Sequence, residues 1–212
     1  MGMQAEAVSG IVTDGLKLYL DASNPASYPG SGTTWFDLSG NGNNGTMVNG
    51  VVPLSNAMRF DGVDDYISTL MPLPSTTEHS ISFMFNANNI ASTQVMLGYY
   101  ISGADLWVGT FGNKLGYFQS GNSIVSPENL IIGVDYIVAC VKTTTNRYMY
   151  INGVLKATGS TYNDPTGNLT IGQFADAFNF NGKINDITIY SRSLTPEEVL
   201  HNFNATKSKY GL

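Results

Sequence analysis

Apolar and polar residues alternate with a period of two in several short segments, and this pattern restricts the chain to β-structure. In residues 15–21, Leu16, Leu18 and Leu20 alternate with Lys, Tyr and Asp, and residues 80–85 repeat the pattern. Successive side chains of a β-strand point to opposite faces, so each segment buries one face and exposes the other. We therefore predict a fold built from strands that share a core.

Turn dipeptides separate some of these segments at hairpin spacing. Asn152-Gly153 lies between the strand-like segments 147–151 and 154–158, and Gly112-Asn113 lies in the middle of 106–119. Both central residues of a type I′ turn need positive φ, which Asn and Gly tolerate. The sequence therefore predicts two hairpins. Further strands are predicted at 58–60 and 66–68, paired through a turn at Asp61-Gly62, and at 136–142, 169–174 and 183–190.

Residues 22–49 are rich in Asn, Ser, Gly and Pro, which predicts a long ordered loop. A single helix is predicted at 196–205. Thr195 is its cap, Pro196 takes the first helical position and Glu198 follows the cap by three residues, as in a capping box. Its buried face is predicted to carry Val199, Leu200 and Phe203.

Composition excludes several classes of function. The chain has 212 residues, a net charge of -6 and only ten Lys and Arg. Nucleic acids and anionic membranes both require clustered basic residues, so neither is an expected partner. The single cysteine, Cys140, lies in an apolar run and is predicted to be buried. No signal peptide or apolar membrane span is evident, so we expect a protein made in a cytoplasm.

Four segments together resemble the laminin-G-like and pentraxin-like domains of the concanavalin A-like lectins and glucanases. They are 35–46 (WFDLSGNGNNGT), 59–67 (RFDGVDDYI), 148–155 (YMYINGVL) and 182–198 (GKINDITIYSRSLTPEE). The resemblance implies an all-β, two-sheet antiparallel jelly-roll sandwich with one short C-terminal helix. We expect one domain over 13–212, preceded by an arm at 1–12.

The two ends carry a second resemblance. Residues 18–28 and 202–212 are similar to virion structural proteins of tailed bacteriophages. This implies a non-enzymatic capsid or tail decoration protein, located in the virion, that contacts other virion proteins and forms a homo-oligomer. The alternative is a glycan-binding adhesion module, extracellular or at a cell surface, that recognises a host glycan.

Catalytic carboxylates are scarce. Glucanases of this fold carry Glu-x-Asp-x-x-Glu or a close variant, and none of the five glutamates here lies in such a pattern. Asp64 and Asp65 are neighbours and would point to opposite faces of a strand. The histidines, His79 and His201, form no zinc or triad spacing and are predicted to be solvated or helix-terminal. The chain is therefore predicted not to be an enzyme, and a glycoside hydrolase is disfavoured.

Aromatic and amide residues in the middle of the chain are candidates for sugar binding. Trp107, Tyr99, Tyr117 and Asn88 are the predicted ligand-binding residues, with Tyr100 and Phe111 in the same sequence cluster. Sugars pair an aromatic platform with planar polar groups. The alternative is that the aromatic side chains fill the core of the sandwich.

Aspartates in the loops are candidates for calcium, which takes oxygen ligands. Relatives of this fold hold a structural calcium near the first and last strands, which implies Asp21 and Asp186 here, followed by Asp61. The alternative is that each carboxylate accepts backbone N–H groups in its own turn.

Overall fold

A computed structural model describes residues 10–73, 77–101, 104–162 and 167–212. This part of the chain contains sixteen strands, one α-helix and a 3₁₀ turn. The strands are β1 (Leu16–Asp21), β2 (Thr34–Trp35), β3 (Gly45–Val48), β4 (Val52–Pro53), β5 (Met58–Asp61), β6 (Tyr66–Pro72), β7 (His79–Ala87), β8 (Gln94–Ile101), β9 (Ala104–Phe111), β10 (Lys114–Gln119), β11 (Asn122–Val125), β12 (Asp135–Lys142), β13 (Asn146–Ile151), β14 (Val154–Ser160), β15 (Asn168–Ile171) and β16 (Asn181–Tyr190). The helix α1 (Pro196–Thr206) is followed by the 3₁₀ turn (Lys207–Tyr210).

The strands form two antiparallel sheets. Sheet A has the order β14-β13-β12-β7-β16-β5-β4, and β1 also pairs with β16. Sheet B has the order β11-β10-β9-β8-β15-β6-β3-β2. The fold is therefore the predicted all-β sandwich with a single short C-terminal helix. Among the described residues, no helix combines the length and apolar character needed to cross a bilayer.

The core lies between the two sheets and follows from the period-two pattern. Leu18 and Leu20 of β1 are fully buried, as are Leu106 and Val108 of β9 on the opposite sheet. Trp35, from the short strand β2, is also fully buried. Alternate residues of both sheets thus fill one continuous core, and the intervening residues form the outer faces of the sandwich.

Both predicted hairpins are present. Asn152 and Gly153 have φ values of 51° and 75°, and they join β13 to β14. Gly112 and Asn113 have φ values of 56° and 66° and join β9 to β10. Positive φ at both central positions is the signature of a type I′ turn, which matches the twist of the paired strands.

The predicted pairing of residues 58–60 with 66–68 is wrong. β5 pairs with β16 and β4 in sheet A, whereas β6 pairs with β15 and β3 in sheet B. The short connection between them therefore crosses from one sheet to the other. Phe60 enters the core from sheet A and Ile67 enters it from sheet B. The two segments therefore face each other across the core and do not pair as a hairpin.

The predicted long loop at 22–49 is ordered but not entirely irregular, since it contains β2 and β3. β3 pairs with β6 and extends sheet B, and β2 then pairs with β3 as the edge strand. Gly45 lies so close to Ile67 that an added Cβ would clash with the Ile67 side chain. The composition of this segment predicts its turns but not its two short strands.

The helix α1 begins as predicted, with Thr195 and Glu198 forming a complete capping box. Its predicted buried face is partly wrong, because Leu200 is exposed and Asn202 is buried. Asn202 Nδ2 donates to Tyr190 Oη (3.0 Å), and Asn202 Oδ1 accepts from Val12 N (2.8 Å). The helix therefore packs on the outer face of sheet A through a polar anchor as well as through apolar contacts.

His79 also differs from expectation. It is fully buried at the start of β7, and its Nε2 atom lies 3.2 Å from Tyr117 Oη. Burial, together with the nearby Lys142 ammonium, lowers the pKa of His79 to about 3, so the ring is neutral at physiological pH. His79 is not solvated because β7 begins at His79, one residue before the alternating segment 80–85. Cys140 is buried, as predicted.

Candidate ligand-binding face

The outer face of sheet B carries exposed aromatic side chains. On β9, Leu106 and Val108 point into the core, so alternation directs Trp107 and Phe111 outward. Phe118 of β10 lies directly opposite Trp107 in the antiparallel register. The β9–β10 hairpin thus presents three aromatic rings on one surface.

These rings pack against one another in a row. Trp107 and Phe118 are stacked, with ring centroids 3.6 Å apart and planes 10° from parallel. Phe111 meets Phe118 edge to face at 5.3 Å. On the other side, Phe174 lies 6.3 Å from Trp107, and Tyr100 meets Phe174 edge to face at 5.3 Å. We call Tyr100, Phe174, Trp107, Phe118 and Phe111 the aromatic row.

Glycines beneath the row make room for two of its rings. A Cβ atom on Gly98 would lie 2.7 Å from Phe174 Cδ2, and a Cβ atom on Gly116 would clash with the Phe118 ring. Both glycines lie in strands, where glycine is unfavourable unless another group approaches the backbone closely. The rings of Phe174 and Phe118 therefore approach the backbone closely at these two glycines.

Each end of the row carries one charged residue. Asp105 pairs with Tyr100 across β9 and β8, and Lys114 pairs with Phe111 across β10 and β9. Lys114 Nζ donates to the Pro127 carbonyl oxygen (2.9 Å). The surface is therefore apolar in the middle and polar at its two ends.

The predicted ligand-binding residues lie in different parts of the structure, some on the outer face of sheet B and some in the core. Trp107 lies on the outer face, within the row. Tyr99 and Tyr117 are fully buried in the core, so the prediction that they contact a ligand is wrong. The reason is strand alternation, because Tyr99 and Tyr117 share the inward parity of Leu97 and Leu115. Their outward neighbours, Tyr100 and Phe118, take the positions that were expected for them.

Asn88 lies away from the row, in the exposed loop after β7. Its Nδ2 atom donates to Asn181 Oδ1 (3.0 Å) and its backbone N donates to the Asn181 carbonyl (2.9 Å). The same loop reaches the β9–β10 turn, where the Ile90 carbonyl accepts from Asn113 N (3.1 Å). Asn88 therefore belongs to the loops near the Phe111 end and does not take part in the row.

Sequence reasoning missed Phe118 and Phe174. Phe118 could have been found, because a two-residue turn at Gly112-Asn113 sets the register that places it opposite Trp107. Phe174 was expected to be the last residue of a strand. Instead β15 ends at Ile171, and Phe174 forms an isolated bridge with Ala177 in the loop that follows.

The predicted metal ligands Asp21 and Asp186 lie opposite each other on β1 and β16, but groups of the protein already engage them. Lys209 Nζ lies 2.7 Å from Asp21 Oδ2, and Tyr210 Oη donates to Asp186 Oδ2 (2.5 Å). Burial raises the pKa of Asp21, but hydrogen bonds from Lys209 and Ser23 outweigh it and hold that pKa below its usual range. The Lys209 ammonium therefore balances the charge of Asp21, and calcium binding at Asp21 and Asp186 stays a prediction.

Asp61, the third predicted ligand, lies in an acidic turn with Asp64 and Asp65. One carboxylate oxygen from each of the three lies within 4.8 Å of the others. Asp65 Oδ2 accepts from Asp61 N (3.0 Å), and burial together with the two neighbouring carboxylates raises the Asp65 pKa. These oxygens suit a hard cation such as calcium. Calcium binding stays a prediction, and Asp61 is the residue where the geometry favours it.

Residues 60–200 match the sequence model of a family described as the concanavalin A-like lectin/glucanases superfamily. No curated protein matches the chain.

Solved structures with the same fold include carbohydrate-active proteins. Domain 4 of AbnA, a GH43 extracellular arabinanase from Geobacillus stearothermophilus in complex with arabinotriose, superposes with a TM-score of 0.71 at 20% identity, over 87% of this chain and 96% of that one. The Trypanosoma rangeli sialidase in complex with the inhibitor DANA gives 0.73 at 15% identity, over 95% of this chain and 34% of the sialidase. The chain thus spans about a third of the sialidase. Identities this low show a common fold.

Proposed function

The chain belongs to the concanavalin A-like lectin/glucanases superfamily, and we propose that it is a non-catalytic domain that binds glycans through the aromatic row on sheet B. The observation that carries this proposal is the exposure of the two ends of the row. Tyr100 and Phe111 remain about half exposed, at 52% and 48%, whereas Phe174, which lies between Tyr100 and Trp107, is buried. An exposed apolar patch of this kind marks an interaction site.

The surroundings of the row support a sugar as the ligand. Thr170 and Ser68 pair with each other on the adjoining strands β15 and β6, and they share the outer face with the row. Short hydroxyl side chains beside aromatic rings offer both hydrogen bonds and apolar contact, which sugars require. The likeness to an arabinanase domain determined with arabinotriose is consistent with this assignment.

The distribution of carboxylates supports a role in binding rather than hydrolysis. On the described strand residues of this outer face, Asp105 is the one carboxylate. Glycoside hydrolysis generally needs two carboxyl groups, about 5 to 9.5 Å apart, on either side of the scissile bond. Glu128 forms an ion pair with Lys156, and Glu198 forms one with Arg192.

A glycan microarray that includes bacterial surface polysaccharides tests the proposal. The wild-type protein is expected to bind, and Trp107→Ala, Tyr100→Ala and Phe111→Ala to bind more weakly. Val154→Ala is the matched control, because Val154 is also an exposed apolar residue but lies on β14 of sheet A. Normal binding by all three aromatic variants would remove the row from the site, and release of reducing sugar by the wild type would contradict a non-catalytic role.

A second proposal concerns biological context, namely a decoration protein on a bacteriophage capsid or tail. The two segments that resemble virion proteins lie together in the fold, because the ion pair between Lys209 and Asp21 joins them. They form one unit on the sheet A side and leave the row on sheet B uncovered. Contacts with other virion proteins and a homo-oligomer are parts of this proposal.

Cryo-electron microscopy of the native particle tests this second proposal. Density for the chain on the particle surface is expected, with the unit of residues 18–28 and 202–212 facing the particle. Light scattering of the purified protein then shows whether it is a homo-oligomer. A particle that lacks the chain would contradict the virion role and leave glycan binding unaffected.

A further inference from the structure

We propose that the aromatic row selects a linear, uncharged oligosaccharide long enough to contact both ends of the row, an inference that rests on the proposed glycan-binding function. Tyr100 and Phe111 are the two platforms, and the stacked pair of Trp107 and Phe118 separates them. The ligand is thus defined by its length and by its lack of charge.

The middle of the row has little ring face to offer. Trp107 and Phe118 cover one face of each other, since their planes are 10° apart at a centroid separation of 3.6 Å. Phe111 meets Phe118 edge to face, and Phe174 packs against Trp107 with planes 47° apart. A sugar ring gains most from an aromatic ring when it lies over the open face. The central pair therefore offers less open ring face than Tyr100 and Phe111, which are the exposed residues of the row.

The two ends are different. Tyr100 makes one ring contact in the row, with Phe174, and Phe111 makes one, with Phe118. A ring with one aromatic neighbour has at least one face that no other ring covers. The exposed fractions of Tyr100 and Phe111, 52% and 48%, agree with an open face on each.

The distance between the platforms sets the length of the ligand. Tyr100 lies opposite Asp105, and Phe111 is six residues further along β9. At about 3.4 Å per residue in an extended strand, the two ends lie about 20 Å apart. A single sugar ring covers one platform only, so a chain of several rings is needed to occupy both. Two contacts on one chain then reinforce each other, because the first holds the second at high local concentration.

The charges around the row favour a neutral chain. Arginine is the side chain best suited to bind a sugar carboxylate, because its guanidinium forms paired hydrogen bonds. Arg59 lies in sheet A, Arg147 is buried, and Arg192 is held by Glu198 beside the helix. Asp105 and the net charge of -6 repel anionic ligands, and Lys114 alone opposes them on the described strand residues of this face.

A length series provides the test. Gluco-, manno-, xylo-, galacto- and arabino-oligosaccharides, each from mono- to hexasaccharide, are compared with oligogalacturonates and oligosialic acids by isothermal calorimetry. We expect at least one neutral series to bind, with an affinity that rises by about tenfold or more from the disaccharide to the longest member. We expect the acidic series to bind at least about tenfold more weakly than the neutral one.

Variants at the two platforms make the test specific. Tyr100→Ala and Phe111→Ala should each reduce the affinity for the hexasaccharide to about that of the disaccharide, while disaccharide affinity changes by less than about threefold because the other platform remains. Leu70→Ala is the control, since Leu70 is exposed on the same face but lies on β6, outside the row. Circular dichroism confirms that each variant is folded.

The possible results separate the inference from the function on which it rests. Binding that is independent of chain length, or that is as tight for the acidic series, would overturn the inference and leave glycan binding intact. Loss of short-ligand binding in only one platform variant would place the whole site at one end, which also overturns it. No binding to any member of any series would overturn both.

Discussion

Replacing Asp186 with asparagine is expected to stabilise the domain at neutral pH. Asp186 lies on β16 opposite Asp21 of β1, and only 7% of its surface is exposed. Burial raises the pKa of Asp186 from 3.8 to about 6. The hydrogen bond from Tyr210 opposes this rise and the Asp21 carboxylate adds to it. Above pH 6 the folded protein therefore holds a buried carboxylate in an unfavourable environment.

The sign and size of the effect follow from that pKa. When a carboxyl has a higher pKa in the folded state than in the unfolded state, its ionisation lowers the free energy of unfolding of the protein. The loss is absent below about pH 3.8 and complete above about pH 6, the two pKa values. A difference of about two pKa units, at about 1.36 kcal/mol each, gives about 3 kcal/mol. Asparagine cannot ionise, and its carbonyl oxygen can still accept the hydrogen bond from Tyr210.

Urea unfolding followed by tryptophan fluorescence at pH values between about 4 and 7 measures this difference. Asp186→Asn should match the wild type at the acidic end and exceed it by about 2 to 3 kcal/mol at the neutral end. Asp176→Asn is the control, because Asp176 is exposed, and its stability should follow the wild type throughout. A variant less stable than the wild type at neutral pH, or a gap that does not change with pH, would refute the reasoning.

Three further predictions concern packing, a buried cation and calcium. Arg147→Met should lower the free energy of unfolding in urea by about 3 kcal/mol. The buried guanidinium donates to three backbone carbonyls, which would lose their donor. An effect below about 1 kcal/mol would contradict this. Gly116→Val should displace the Phe118 ring, lower the free energy of unfolding by about 1 to 3 kcal/mol and change the near-ultraviolet circular dichroism signal. An unchanged signal would argue against the close approach of the Phe118 ring to Gly116. Calcium should raise the melting temperature of the wild type but not of Asp61→Asn, whereas an equal rise in both would place the ion elsewhere.

The fold could be predicted from the sequence because its signals are local and repeated. The turn at Asn152-Gly153 and the capping box at Thr195 each depend on residues within a few positions of one another. Strand pairing across the sandwich was harder. Residues 58–60 and 66–68 look like a hairpin in sequence, but the connection between them crosses the core, and only the position of β16 decides where β5 pairs.

The candidate site was predicted less well, because neighbouring residues with similar side chains point to opposite faces of a strand. Tyr99 and Tyr100 differ by one position, and the first is in the core while the second is on the surface. The register of a strand with a bulge cannot be read from its own sequence, and β8 has such an irregularity between Val95 and Leu97. Nor does the sequence reveal that Lys209, far along the chain, reaches Asp21.

Gly10 and the C-terminal helix lie on the same side of the sandwich. At the start of the described chain, Gly10 O lies 2.9 Å from His201 Nε2, and α1 and the 3₁₀ turn lie on the sheet A side. An attachment to this side, whether to a larger particle or to the surface of a biosensor, would therefore direct the aromatic row on sheet B outward. Many copies fixed in this way would present a dense array of parallel sites, in which weak individual contacts add up to firm adhesion.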